Sequence, residues 1–300
     1  MTGTPERPRA AAGVPPEAHR REVLRRWRLV PGPVLGARAT TTWQVRRGRT
    51  PLVLKQLPAS VSPDWAYPIR VARALRERGW PAPVPVEEPV TAGGSTWLLL
   101  PMLPGRPRAA GPVEQRDRGR LLARLHASLA DTGITGRRGG FPDLAAGLVD
   151  PALEETLCRY ETRFPEPGRL LRVCRDATAA WFAAHDTSAA PRGVIHGDFT
   201  PWNLLFDGDR LTGLLDFETC HHTFQVADFA LSWRGRYAEV IRGYREVRPL
   251  SALEDALIRP AFRAWLFLGA ADATDFSWQL GKLAHDPEMI RLASYRPRML

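Results

Sequence analysis

The segment from Val194 to Glu218, VIHGDFTPWNLLFDGDRLTGLLDFE, constrains the fold of this chain more than any other part. It contains two apolar stretches, residues 204–206 and 211–215, separated by an Asp-Gly-Asp sequence that is typical of a tight turn. These stretches are therefore predicted to pair as a β-hairpin. Such a hairpin would bring Asn203 and Asp216, which flank it, to the same end of a small sheet.

The polar residues around this hairpin suit phosphoryl transfer. That chemistry requires a site that orients a hydroxyl group and neutralises phosphate charge through metal ions. Asp198 can accept a proton from an attacking hydroxyl, while Asn203 and Asp216 offer the oxygen ligands that hard cations prefer. The alternative is a buried turn followed by ordinary hairpin acids. Apolar strands that direct acids to one common end favour the functional interpretation.

The same residues resemble the signature of the aminoglycoside phosphotransferase and choline kinase superfamily: the HGD tripeptide at His196, Asn203, and the DFE tripeptide at Asp216. The resemblance implies an α+β, two-lobed protein-kinase-like fold, with a small β-rich N-lobe and a larger, mainly helical C-lobe. It also implies ATP, or another nucleoside triphosphate, and Mg as cofactors. Asp198 would be the catalytic base and Asn203 and Asp216 the metal ligands, while His196 would brace the loop.

Lysine usage singles out one residue. The chain has 42 Lys and Arg residues, but only Lys55 and Lys282 are lysine. Lys55 closes the apolar strand 52–54, where an ammonium acts as a point charge toward phosphate oxygens. In the resembled family, a lysine at this point holds the nucleotide phosphates. The alternative is an edge-strand lysine that extends into water.

One expected feature is missing from the sequence. The family places a glutamate on the helix after this lysine, and helical spacing predicts that helix over residues 65–78. Between Asp64 and Glu77 the segment contains no acid. The partner of Lys55 is therefore Asp64, Glu77 or another residue, and a non-catalytic pseudokinase remains the alternative function.

Two further segments are assigned to the nucleotide by resemblance. The sequence LGARATTT at residues 35–42 occupies the position of a nucleotide-covering loop, although an ordinary polar turn would also fit. The apolar run 97–100 followed by PMLPG resembles the hinge strand that contacts adenine. The residues expected to contact the nucleotide, besides Lys55, are Thr40, Thr41, Thr42, Met102 and Leu103.

The acceptor pocket is less determined by the sequence. Helices predicted after Asp228, the residue expected to tether the catalytic loop, would form its walls. His126 is predicted to be a core histidine within a helix over residues 118–130. An antibiotic such as an aminoglycoside, a sugar, a nucleoside or an amino alcohol would each fit as the acceptor of a phosphate. The residues expected near this acceptor are Glu218, Trp202, His221 and Trp233.

Composition limits the remaining possibilities. The net charge of +10 comes from dispersed arginines, which favours a solvated surface over nucleic-acid binding. The three cysteines lie far apart, and no secretory or membrane-spanning segment is evident, so a cytoplasmic protein is expected. The predicted organisation is a flexible tail (1–20), a nucleotide-binding lobe with the hinge strand (21–103), and a catalytic and substrate-binding lobe (104–300).

Overall fold

The computed structural model describes residues 17–37, 40–59, 64–232 and 238–295. Residues 1–16 of the predicted tail and Trp233 lie outside these ranges. The helices are α1 (Glu17–Arg26), α2 (Ala66–Glu77), α3 (Pro112–Ala130), α4 (Leu144–Leu148), α5 (Pro151–Arg163), α6 (Pro165–Ala184), α7 (Asp228–Ser232), α8 (Ala238–Val247), α9 (Ala252–Leu266), α10 (Ser277–Leu283) and α11 (Pro287–Leu292). The strands are β1 (Val30–Ala37), β2 (Thr41–Arg47), β3 (Thr50–Pro58), β4 (Val90–Ala92), β5 (Ser95–Pro101), β6 (Arg192–Ile195), β7 (Leu204–Asp207), β8 (Arg210–Leu214) and β9 (His221–Phe224).

The N-terminal strands form an antiparallel sheet in the order β1-β2-β3-β5-β4. Its strands alternate in burial, as a sheet with one covered face requires: Trp43 and Val45 of β2 are buried, and Gln44 between them is not. Helix α1 covers this face with Val23 and Leu24, and Trp43 stacks on Trp97 at 5.7 Å. The prediction of a flexible tail was thus wrong for residues 17–20, which form the first turn of α1.

Helix α2 confirms the helix predicted over residues 65–78. Its apolar spacing buries Tyr67, Val71 and Leu75 on one face. The backbone of Gly79, just after the helix, takes a left-handed conformation with φ 81°, which glycine adopts without steric cost. The proline-rich segment that follows is held along the sheet, because the Val86 N–H donates to the Leu99 carbonyl at 2.8 Å.

Helices α3 and α8 cross at backbone contact. A Cβ atom on Gly119 would clash with the Val240 carbonyl, and one on Gly243 would clash with the Arg116 carbonyl. The two glycines therefore permit an approach that larger residues would prevent. This crossing brings Tyr244 of α8 beside His126 of α3, with ring centroids 5.5 Å apart.

The hairpin of β7 and β8 forms as predicted, with Leu204 opposite Leu214 and Asp207 opposite Arg210. The chain that follows β5 joins this hairpin along its open edge. The Arg106 N–H donates to the Phe206 carbonyl at 3.0 Å, and the Phe206 N–H donates back at 2.9 Å. The connection after the N-terminal sheet is therefore bonded to the hairpin that carries the candidate metal ligands.

The chain divides by its internal contacts into two compact units. One comprises the described residues up to 140 together with 193–249, and the other comprises 141–192 and the described residues from 250. The second unit is helical, with a buried Arg263–Asp286 ion pair at 2.8 Å and a contact between Trp265 and Trp278 in its core. The boundary at residues 103/104 stays a prediction. No described helix is long and apolar enough to cross a lipid bilayer.

Candidate active site

Asp228 organises the loop between β6 and the short 3-10 helix Pro201–Asn203. Its carboxylate accepts the backbone N–H groups of His196 and Gly197, each at 2.8 Å, and its side chain has no exposed surface. Burial by itself raises the pKa of Asp228, but the hydrogen bonds from His126 and from the loop backbone outweigh it and hold the pKa below its usual value. Asp228 therefore remains an anion and has the geometry of a residue that tethers the loop.

His126 supports Asp228 from α3. Its Nε2 lies 3.1 Å from the Asp228 carboxylate, and its Nδ1 lies 2.8 Å from the Tyr244 hydroxyl. The carboxylate can only accept, so Nε2 carries a proton and donates to Asp228, while Nδ1 shares a second hydrogen bond with the Tyr244 hydroxyl. His126 is thus a satisfied core histidine, as predicted, and it links the loop to helix α8.

His196 connects the two parts of the site. Its Nδ1 accepts the Asp198 N–H at 3.2 Å, and its Nε2 lies 2.9 Å from the Leu215 carbonyl, to which it donates. Burial lowers the pKa of His196, so the ring stays neutral and keeps this tautomer. One side chain therefore fixes the loop of Asp198 relative to the strand end that precedes Asp216.

Asn203 and Asp216 lie side by side, as the predicted hairpin requires. The Leu215 N–H donates to the Asn203 carbonyl at 2.8 Å. The Asn203 amide nitrogen donates to the Asp198 carbonyl at 2.9 Å, which fixes the orientation of the amide. Asp216 takes a left-handed conformation, with φ 66° and ψ 65°, which is uncommon for a residue with a Cβ atom.

The donor set fits a magnesium ion. It consists of one amide oxygen from Asn203 and one carboxylate from Asp216, whose side chain is 37% exposed. Mg²⁺ is typically bound by one or two carboxylates and completed by water and phosphate oxygens. Among the described residues no group of three or more His, Cys, Asp or Glu could hold a metal by itself. The site therefore suits a cation that arrives with a phosphate ligand.

Lys55 pairs with two acids of the DFE segment. Its Nζ lies 3.1 Å from Asp216 Oδ1 and forms a second ion pair with Glu218. Asp64 instead accepts the Gly139 N–H, and Glu77 is exposed at the end of α2. The partners of Lys55, which the sequence left open, are thus Asp216 and Glu218. The expected contact of Glu218 with an acceptor stays a prediction, and in this structure its carboxylate is bound to Lys55.

Arg138 is a residue of the site that the sequence did not reveal. It is 1% exposed, and its guanidinium donates to the carbonyls of Glu218 and Cys220, the latter at 2.9 Å. It also donates to the Asp64 carbonyl at 3.3 Å. Because it is one of 40 arginines, nothing in its local sequence distinguishes it.

Arg118 was also missed. It lies on the buried face of α3, where it pairs with Glu114 at 2.7 Å and donates to the Phe199 carbonyl at 3.2 Å. The buried ion pair thereby supports the backbone immediately after Asp198. A helical arginine four residues after a glutamate is a weak sequence signal, because such pairs are more often exposed.

Two of the predicted contact residues, Thr41 and His221, have buried side chains. Thr41 is 6% exposed and shares the covered face of β2 with Trp43, whereas Thr42 lies opposite Lys55 in the register. His221 is 1% exposed, with Nδ1 2.7 Å from the Thr219 carbonyl. Contacts of Thr41 and His221 with a ligand stay predictions.

The other predicted contacts lie where a ligand could reach them. Trp202 is 42% exposed beside Asn203. Thr40, Met102 and Leu103 are half-buried, and the last two follow β5 directly. Their contacts with nucleotide or acceptor stay predictions.

Solved structures share this fold. A thermostable mutant of an aminoglycoside phosphotransferase, in a ternary complex with AMP-PNP and hygromycin B, superposes with a TM-score of 0.62 at 15% identity, covering 91% of this chain and 98% of that one. Amicoumacin kinase hAmiN with AMP-PNP and Ca²⁺ gives 0.61 at 14% identity, covering 87% of each chain. The predicted protein-kinase-like α+β fold is therefore confirmed.

Sequence comparison finds several homoserine kinases among the relatives of this chain. A homoserine kinase of Brucella anthropi is 32% identical over 213 residues, which are 65% of this chain and 63% of that protein. A homoserine kinase of Pseudomonas aeruginosa is 30% identical over 256 residues, or 77% of each chain. For the Brucella protein and three further homoserine kinases, the match spans only 62–64% of the relative's length. The model of the phosphotransferase enzyme family matches residues 32–265, and the chain therefore belongs to that family.

Proposed function

We propose that this protein is an ATP- and Mg²⁺-dependent kinase that phosphorylates a hydroxyl group of a small molecule. The observation that carries the proposal is the placement of Asp198, Asn203 and Asp216 around one histidine, with Lys55 beside Asp216. These are a proton acceptor, two oxygen ligands and one cation, which are the groups that positioning and charge neutralisation in phosphoryl transfer require.

Each residue has a defined part in the proposed reaction. Asp198 accepts the proton of the acceptor hydroxyl. The hydroxyl oxygen forms a bond to the γ-phosphorus as the bond to ADP breaks and ADP leaves. Asn203 and Asp216 hold the magnesium ion, which when bound neutralises charge on the phosphate oxygens. Lys55 adds a point charge toward the phosphates. His196 and Asp228 hold the backbone of the loop, and thereby keep these side chains in position relative to one another.

For the acceptor, we propose an amino alcohol of the homoserine type rather than an aminoglycoside. A polycationic antibiotic needs several carboxylates that are not already neutralised. Glu218 is paired with Lys55, and Asp286 is buried with Arg263. The sequence relatives at 30–32% identity are homoserine kinases. A small zwitterionic acceptor makes fewer demands on surrounding acids than an aminoglycoside does.

A transfer assay tests the proposal. The purified protein is incubated with γ-labelled ATP and Mg²⁺ and with homoserine, choline, a ribonucleoside, a hexose, kanamycin or hygromycin B. We expect labelled product with homoserine or another amino alcohol, formed about a hundredfold or more slowly by Asp198→Asn. Product with an aminoglycoside alone would refute the acceptor class. Binding of ATP without transfer to any hydroxyl would favour the non-catalytic alternative.

A further inference from the structure

Helix α2 presents no acid to Lys55. The residues that line the cleft around the ammonium from this helix are Pro68, Ile69 and Ala72. In the same cleft, the segment after Asp216 supplies Glu218. The side chains of Lys55 and Glu218 are only 11% and 12% exposed, so their ion pair is largely shielded from water.

Glu218 is held from a second direction. The buried Arg138 guanidinium donates to the backbone carbonyls on both sides of Thr219, those of Glu218 and Cys220. This bonding fixes the short 3-10 helix Phe217–Thr219 from which the Glu218 side chain extends. The acid therefore approaches Lys55 from a rigid backbone, which lowers the entropy cost of the ion pair.

Asp216 cannot serve Lys55 alone. In the proposed function Asp216 is a metal ligand, and its side chain is about three times as exposed as that of Glu218. Glu218 is thus the acid that can stay with Lys55 throughout a reaction cycle.

We propose that Glu218 is the positioning residue of Lys55. It takes the role that the family resemblance assigns to a glutamate on α2. The inference rests on the proposed function, since it concerns how Lys55 is aimed at nucleotide phosphates. It has a mechanical consequence. The phosphate-binding lysine is aligned by the same segment that carries the metal ligand, so both are assembled without any requirement on the position of α2.

The first experiment is a double-mutant cycle. Magnesium-ATP dissociation constants are measured by calorimetry for wild type, Glu218→Gln, Lys55→Ala and the double variant, and the melting temperatures of the nucleotide-free proteins are recorded. We expect each single change to weaken binding about tenfold and the double variant to bind no worse than Lys55→Ala, because coupled residues lose one shared interaction. Wild-type affinity in Glu218→Gln, or effects that multiply, would overturn the inference.

The second experiment moves the acid. Ala72→Glu is added to Glu218→Ala, which places a carboxylate on the cleft face of α2. The matched control is Ala74→Glu, the same change two residues on, which points about 200° away around the helix. We expect ATP affinity to recover with Ala72→Glu and not with Ala74→Glu. If Ala72→Glu does not fold, Ile69→Glu, one turn earlier and partly exposed, replaces it.

The outcomes separate the two proposals. Glu218 would have a purely structural role, and the inference would be overturned, under three joint results. Glu218→Gln and Glu218→Ala would lose the same ATP affinity, both would melt at lower temperatures, and the relocated acid would not restore affinity. Transfer activity in wild type with an unaffected Glu218→Gln would overturn the inference while the proposed function stands. ATP binding that depends on Glu218, without transfer to any hydroxyl, would support the inference and refute the proposed function. A wild type that binds no nucleotide would refute both.

Discussion

The Nε2 atom of His196 lies 2.9 Å from the carbonyl oxygen of Leu215, while Nδ1 of the same ring accepts the N–H of Asp198. One imidazole thus connects the backbone of Asp198, the proposed proton acceptor, with that of Leu215, which precedes the proposed metal ligand. We expect His196→Ala to lower kcat about tenfold or more while the protein still folds, because two backbone segments lose their common support. Steady-state kinetics with melting curves would check this. An unchanged kcat in a folded variant would show that the loop is held without the ring.

Asp198→Asn tests the proposed role of Asp198 as proton acceptor. The change keeps the shape of the side chain and removes its basicity, so kcat should fall by about a hundredfold or more while nucleotide affinity changes little. Turnover is measured with the acceptor found in the transfer screen, and calorimetry measures ATP binding. Near-normal turnover in this variant would refute the assignment of Asp198.

The proposed metal ligand Asp216 has a left-handed backbone, which decides which substitution tests its role. Because Asp216 has φ 66°, Asp216→Ala would add backbone strain to the loss of the carboxylate. Asp216→Asn is the better variant, since asparagine tolerates this conformation. We expect it to abolish most of the gain in ATP affinity that Mg²⁺ gives to the wild type, as measured by calorimetry with and without the ion. Equal gains in both proteins would remove Asp216 from the metal site.

A pH dependence of stability follows from His221. Burial lowers the pKa of this histidine to about 4, whereas in an unfolded chain it would titrate near 6.5. Protonation therefore favours unfolding. The stabilising contribution is complete above about pH 6.5 and is lost as the pH falls toward 4, with an upper bound of about 3 kcal/mol.

Denaturant unfolding at several pH values between 7 and 4 would show this loss. We expect the slope of stability against pH to flatten in His221→Gln and to stay unchanged in His185→Gln, whose side chain is exposed. Identical slopes in all three proteins would show that His221 does not titrate between the two states in this range.

The candidate site was predictable where it depends on local patterns. The hairpin, its turn and the flanking Asn203 and Asp216 follow from apolar alternation and turn chemistry over a short segment. The partner of Lys55 was not predictable, because Glu218 comes from a distant part of the chain and only tertiary packing brings the two together. The burial of the Thr41 side chain was not predictable either, because sequence does not tell which face of a strand is covered until the register is known.

The bonding of the connection after β5 limits where this molecule can bend. Besides the paired backbone bonds of Arg106 and Phe206, the Thr212 hydroxyl donates to the Pro104 carbonyl at 2.7 Å. Bending at residues 104–106 would break all three hydrogen bonds, so this stretch is a rigid connection rather than a hinge. Any opening that admits a nucleotide must then be taken up elsewhere in the chain. Gly105 is itself part of this constraint, because its backbone has φ 102° and a Cβ atom there would clash with the Thr212 hydroxyl and the Phe206 carbonyl. Gly105→Ala and loss of the Thr212 hydroxyl would therefore both loosen the stretch and allow the chain to bend there.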